Sequence, residues 1–336
     1  MFTAVFGSVE AGLMYAIMAL GVYISFRILN IPDLTVDGSF VTGAAIASVC
    51  IINGINPVAA SILALLGGFA AGSLTGLLHT KGKVNALLSG ILMMIALYSI
   101  NLRIMGKSNI PLLQEETMFT SFTSMLKGLD EGLNNLLTQA GMAGFIPRTW
   151  AILILMIVIV AILKLALDQF LKTEMGLALR ATGDNLDMIR SFAGNTDGYI
   201  IVGLGISNAL VALSGALVAQ YSGFSDIGMG IGMIVIGLAS VIIGEAIFGT
   251  KKLAVATFAV IGGSIIYRLI VSLALRVKFL ETGDMKLITA AIVILSLLLP
   301  KMMGNYKEKQ RKKARLAEKM KAASGGEGVV ATKSDL

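Results

Sequence analysis

The sequence is laid out in apolar blocks of about 20 residues, the length one helix needs to cross the hydrocarbon of a bilayer. The blocks run over 2–26, 38–53, 57–78, 84–104, 149–167, 199–219, 229–248, 253–275 and 286–303, nine in all. They predict an all-α fold, a polytopic transmembrane helix bundle of about nine spans. The second block has only 16 residues and is expected to be a short or broken helix. Composition agrees: 56% of residues are hydrophobic, 14% are charged and the mean hydropathy is +0.85. Soluble domains run nearer to about 45–50% and 25%. A soluble globular domain, a disordered chain and a disulfide scaffold are excluded. The single cysteine, Cys50, allows no internal disulfide, and with the single histidine, His79, it cannot build a metal or haem site.

Charge sets the expected orientation. The net charge is +7, but the stretch 301–336 holds ten Lys/Arg against four Asp/Glu, so +6 of it sits there. Beside a span, such a stretch reads as an inside-facing anchor and not as a nucleic-acid surface. The division expected is a membrane domain over 1–303 and a basic cytoplasmic tail over 304–336. Loop 79–83, segment 168–198, Lys251-Lys252 and the tail should all face the cytoplasm. With nine spans these fall on one side, which puts the N-terminus outside. Arg27 is the first basic residue, so the first block lacks the charged start of a cleaved signal and is read as a permanent span. The extracytoplasmic segment 105–148 carries Phe119, Phe122, Leu126, Leu129, Leu133 and Leu136 at helical spacing. It is expected to be an amphipathic helix, either a cap over the bundle or a docking surface. Trp150 and Arg148 open span five as an interfacial anchor, and Gly68, Gly72 and Gly76 give span three a smooth packing stripe.

Segment 168–197 is built differently from a plain loop. Gly183 is expected to break it, Asp184 or Asn185 to cap a short helix, and Gly194-Asn195 to stop it. Leu186, Ile189 and Phe192 then share roughly one face, which needs something to bury it. A second unusual stretch is Ile31-Pro-Asp-Leu-Thr-Val-Asp-Gly-Ser-Phe40. A helix starting inside the bilayer points its positive end at a cavity, and Asp33, Thr35, Asp37 and Ser39 can either cap it or touch solute. Ionisable residues within spans are functional candidates. Glu10 lies in span one, Arg268 in span eight with Glu10 as one candidate partner, and Glu245 near Lys251 and Lys252 as an ion pair or inner gate.

The stretch Glu174-Met-Gly-Leu-Ala-Leu-Arg-Ala-Thr-Gly-Asp-Asn-Leu-Asp-Met-Ile-Arg-Ser-Phe-Ala-Gly-Asn195 resembles the coupling loop of bacterial ABC-importer permeases. The likeness is to permeases for branched-chain amino acids and for monosaccharides. It is closest to a subgroup linked to the aromatic amino acids tryptophan and tyrosine. The stretch 31–40 is similar to an Asp-Leu-Ser-Val-Gly-Ser stretch of the sugar permeases, with Asp37 as an extra residue, and the resemblance extends from about residue 8 to 300. It implies that 184–194 is a coupling helix docking on an ABC ATPase through Asp184, Asn185, Leu186, Met188, Ile189, Arg190 and Phe192. It also implies a second copy of the chain, an extracytoplasmic solute-binding protein, and residence in the bacterial cytoplasmic membrane.

No catalytic residues and no metal ligands are expected. The nearest approach to a phosphate loop, Gly244-Glu-Ala-Ile-Phe-Gly249-Thr-Lys251, has its last two residues reversed at a span end. ATP and Mg therefore belong to the partner ATPase and no cofactor to this chain. The expected function is the non-catalytic permease subunit of an importer. Its solute is small and polar, an amino acid ahead of a sugar or nucleoside. The rivals are a stand-alone secondary transporter or channel, coupled through Glu10 or Asp37, and a membrane-embedded enzyme, which the sequence gives no convergent motif.

Overall fold

The computed structural model describes residues 2–139, 149–250, 252–274 and the single positions 287, 290, 291 and 294. The chain divides into two units, Met1–Ala290 and Ala291–Leu336, and all twelve helices with described bounds lie in the first. Block 286–303, the tail 304–336, Arg148 and Lys251 fall wholly or largely outside the described residues.

Helix α1 (Phe2–Tyr23) continues into a π-turn, Ile24–Ile28, then the chain reverses through an irregular stretch into α2 (Thr35–Ile52). α3 (Pro57–Thr80) and α4 (Ala86–Met105) follow, each started by an asparagine, Asn56 or Asn85, whose side chain accepts a backbone N–H. Beyond them come a short strand β1 (Asn109–Pro111), α5 (Met118–Met125), α6 (Lys127–Gln139) and α7 (Ala151–Phe170). The second half contains α8 (Glu174–Asp184), α9 (Leu186–Ser191), α10 (Thr196–Ser222), β2 (Phe224–Asp226), α11 (Met233–Phe248) and α12 (Leu253–Ala274).

Seven of these helices, α1 with its π-turn, α2, α3, α4, α7, α10 and α12, are long and apolar enough to cross a membrane. α11 has 16 residues and is the short one. The second span is not: α2 runs to 18 residues because Thr35, Val36 and Asp37 join it. The fold is helical but not purely so. β1 and β2 pair antiparallel, Ile110 opposite Ser225, and tie the loop after α4 to the loop after α10.

α10 is the central post, packed by α3, α2 and α1. Its contacts are made by small residues, as expected where lipid removes the usual hydrophobic drive between helices. A Cβ on Gly68 or Gly72 would lie 2.4 Å from Asn208 O or 2.2 Å from Leu204 O, so the α3 stripe presses directly on the α10 backbone. Gly43 and Gly215 do the same between α2 and α10. The outward faces are apolar: Ile62, Leu66, Ile95, Ile162 and Leu165 are each more than half exposed, the inverse of a soluble surface.

Among its described residues, the 105–148 segment forms two helices, not one. Phe119 of α5 is buried against Tyr221, and the Met118 amide donates to Gln220 Oε1, so α5 caps the bundle. α6 is tied to the start of α7 through Trp150, whose indole donates to Asn134 Oδ1 at 3.2 Å.

Candidate functional site

α9 is made by local sequence. Asn185 leaves the helical region at φ −156°, ψ 95°, and its side chain accepts the Met188 amide at 3.0 Å. The stop comes from Ala193 at φ 57°, not from Gly194, with the Gly194 amide returning to Ile189 O. The expected break at Gly183 does not occur, because α8 runs through it to Asp184. That glycine is needed for close approach: a Cβ there would sit 1.8 Å from Ile28 O, at the end of the π-turn.

The apolar face of α9 is split. Leu186 and Ile189 turn inward and are half-buried, with Leu186 packed on the core. Met188 and Phe192 face out, Phe192 at 77% exposure. Asp184, Asn185 and Arg190 are exposed beside them, Arg190 reaching Asp197 at 3.7 Å. The result is a capped knob with an uncovered aromatic tip.

One contact away lies an ion pair that local sequence did not reveal. Arg27, on the π-turn, donates from Nε and Nη2 to the two carboxylate oxygens of Glu245, at 2.7 and 2.6 Å. This planar fork is the strong geometry for such a pair. Glu245 therefore pairs with Arg27, 218 positions away, and not with its neighbour Lys252. Charge reversal at either residue, Arg27→Glu or Glu245→Arg, is expected to lower transport several-fold, since like charges then face each other. The double reversal should restore at least about half of it. Transport rates of the three variants check this, and an unrescued double variant would reduce the pair to a surface contact.

α11 is held at its other end as well. Asp37 of α2 accepts the Gly232 and Ile234 amides at 2.9 and 2.8 Å, so its carboxylate caps the positive end of α11. A Cβ on Gly237 would lie 2.7 Å from Val22, and Glu245 meets Arg27, so α11 runs beside only the last part of α1. At 1.5 Å per residue its first turn is level with about Met18, near the middle of the Val5–Ile28 span. The helix that begins inside the bundle is thus α11, whereas sequence reading placed such a start at α2.

Above that start is a cleft of about 450 Å³ between α2, α4 and the turn before α11. Asp37, Met94, Tyr98, Asn101 and Ile231 line it. Of the six candidate pathway residues only Asp37 is there. Asp33 is buried, accepting from the Thr35 amide at 2.9 Å and from Asn208 Nδ2 at 2.6 Å. Thr35 shares a 2.8 Å hydrogen bond with Thr75, and Ser39 is buried among helices. Asp33 and Thr35 join this start of α2 to α10 and α3. Glu10 is buried and accepts from Tyr221 at 3.0 Å, and no ion pair joins it to Arg268. Arg268 instead stacks on Tyr15, its guanidinium carbon 3.6 Å from the ring centre. Asn101, one of the cleft residues, was missed by sequence reading. A lone amide inside an apolar block was its only signal.

Comparison with known proteins bears on the whole membrane region. Residues 5–298 match the family model described as branched-chain amino acid transport system / permease component. The chain is 45% identical over 282 residues to a tyrosine transport system permease protein of Clostridioides difficile (strain R20291), covering 84% of this chain and 86% of that one. It is 35% identical over 294 residues to an uncharacterised protein of Rickettsia prowazekii (strain Madrid E), covering 86% and 95%. A solved structure described as an inward-facing conformation of a metal-chelate type ABC transporter aligns over 92% of this chain and 85% of its own, at 14% identity and a TM-score of 0.44. The family match covers the described helices from residue 5 onward, and the C. difficile relative falls in the aromatic subgroup that the 174–195 stretch resembles. The chain therefore belongs to the permease family of branched-chain amino acid transport systems, as a multi-pass, non-catalytic membrane subunit.

Proposed function

We propose that this protein is the membrane subunit of an ATP-driven importer for an aromatic amino acid, with tyrosine the first solute to test. Two copies enclose the pathway, a solute-binding protein delivers to the β1–β2 side, and an ATPase carrying ATP and Mg docks on α9. The N-terminus lies outside and the basic tail inside the cytoplasm.

The observation that carries this reading is the α9 knob: a capped helix of six residues with no buried member and an exposed Phe192 at its end. A stand-alone carrier has no use for an aromatic held out from its surface in this way. The permease named for tyrosine transport, at 45% identity, supports the choice of solute. In the proposed cycle the ATPase moves α9 and α8. α8 presses on the π-turn through the Gly183–Ile28 contact, and the π-turn reaches α11 through Arg27–Glu245. The turn that leads into α11 borders the cleft.

The test is uptake into proteoliposomes holding this protein with the ATPase that co-purifies with it, and the binding protein outside. ATP sealed inside should drive accumulation of labelled tyrosine, and omitting ATP should abolish it. Uptake of amino acids that ignores ATP would reject the importer reading in favour of a carrier.

A further inference from the structure

We propose that the cleft receives the side chain of the transported amino acid, and that Asn101 selects a side chain ending in a hydrogen-bond donor, a phenol or an indole. This rests on the reading of the protein as an aromatic amino-acid permease.

The argument starts from Asn101, which is fully buried and lines the cleft. Its Nδ2 donates to Gly38 O at 3.1 Å. A carbonyl only accepts, so this bond fixes which way the amide lies. The Oδ1 is thereby left over, buried and without a partner. Buried acceptors are seldom left unsatisfied, and one beside a cavity is a place for a donor from a ligand.

The rest of the cleft is consistent with an aromatic guest. Met94 and Val41 supply apolar walls, and Ile95, Tyr98 and Ile231, each more than half exposed, stand at the cleft's open, outward side. A volume of about 450 Å³ is within the range of small-molecule sites. Asp37, the charged group of the cleft, is also an acceptor, with its oxygens set toward the start of α11. Asn101 thus asks for a donor at the far end of the ring, while Asp37, already capping α11, keeps lone pairs that an ammonium can share. An acyl chain or an aliphatic side chain fills the walls but leaves Asn101 unpaired. A site built around a hydrogen bond rejects the analogue lacking it far more strongly than an apolar pocket rejects a missing methylene.

The experiment is direct binding of labelled tyrosine to the full chain with its ATPase in nanodiscs, without the binding protein. Competitors are 4-aminophenylalanine, which keeps a donor, and phenylalanine and O-methyltyrosine, which lack one. 4-Aminophenylalanine is expected to displace tyrosine within about threefold of tyrosine itself, while the other two need about tenfold more or worse. Equal displacement by all three overturns the proposal, as does the absence of saturable tyrosine binding with phospholipid retained in its place. Asn101→Leu, in protein that still assembles with its ATPase, should bring the tyrosine-to-phenylalanine ratio to about one. An unchanged ratio overturns it too. The ligand series uses the native protein, so it decides even if that variant does not assemble. ATP-driven amino-acid uptake in parallel separates the two readings: uptake without donor selectivity removes only the role of Asn101, and no uptake removes the importer reading first.

Discussion

Phe192→Asp is expected to leave the protein folded in the membrane and to cut ATP-driven uptake at least about tenfold. The side chain is 77% exposed, so the fold gains little from it. The α9 cap, Asn185 to the Met188 amide, is two turns of sequence away and stays intact. In a docked complex the same ring becomes a buried anchor, and truncating such an anchor costs about 2 kcal/mol or more. That is roughly a thirtyfold loss of affinity. Aspartate adds the cost of placing an unpaired charge in the interface. Co-purified ATPase, read against membrane yield of the permease, measures the effect. Phe192→Leu should fall between the two. Wild-type recovery of the ATPase with Phe192→Asp would move the docking surface off α9.

Gly43→Val is expected to remove most folded protein. A Cβ at Gly43 would lie 1.8 Å from Ala212 O, and one at Gly215 would lie 1.9 Å from Phe40 O. The two pairs are reciprocal, so the α2 and α10 backbones touch at two successive levels. A side chain at either place must push α2 off the central post. Overpacking a core costs about 1–3 kcal/mol, and a backbone neighbour that cannot rotate away puts this case at the upper end. Thermal stability and yield after mild solubilisation check the expectation. Gly128→Ala is the control, because a Cβ there meets nothing within 4 Å and the helix gains propensity. Wild-type stability of Gly43→Val would show that α2 and α10 can separate freely.

What could be read from the sequence was what depends on neighbours along the chain. The long spans follow from runs of apolar residues, and the α9 cap from Asn185 lying three positions before the amide it accepts. What could not be read depends on partners far apart. β1 and β2 are three residues each and lie more than a hundred positions from one another, too short to show an alternating pattern. The start of α11 was hidden because 229–248 is one apolar run, in which a turn at Gly232, φ 85°, leaves no polar mark. Glu245 had Lys251 and Lys252 closer in sequence, so its bidentate pairing with Arg27 was invisible. Asp37 was legible as unusual, but its backbone partners at 232 and 234 come from the other half of the chain.

The π-turn at Ile24–Ile28 has a geometric consequence. Its Leu29 amide returns to Ile24 O, five residues back, so the turn holds one residue more than an α-helix would over the same advance. Each residue of an α-helix sweeps about 100°, so this surplus resets the phase of everything after it. Upstream, Gly21 and Val22 must face Ser207 and Gly237. Downstream, Arg27 must face Glu245 and Ile28 O must face Gly183. A continuous α-helix would link those two azimuths rigidly, and the extra residue sets them separately. The span up to Val22 can therefore pack at one azimuth and Arg27 and Ile28 at another, and a single-residue deletion between 24 and 28 would remove that independence from the end of the span itself.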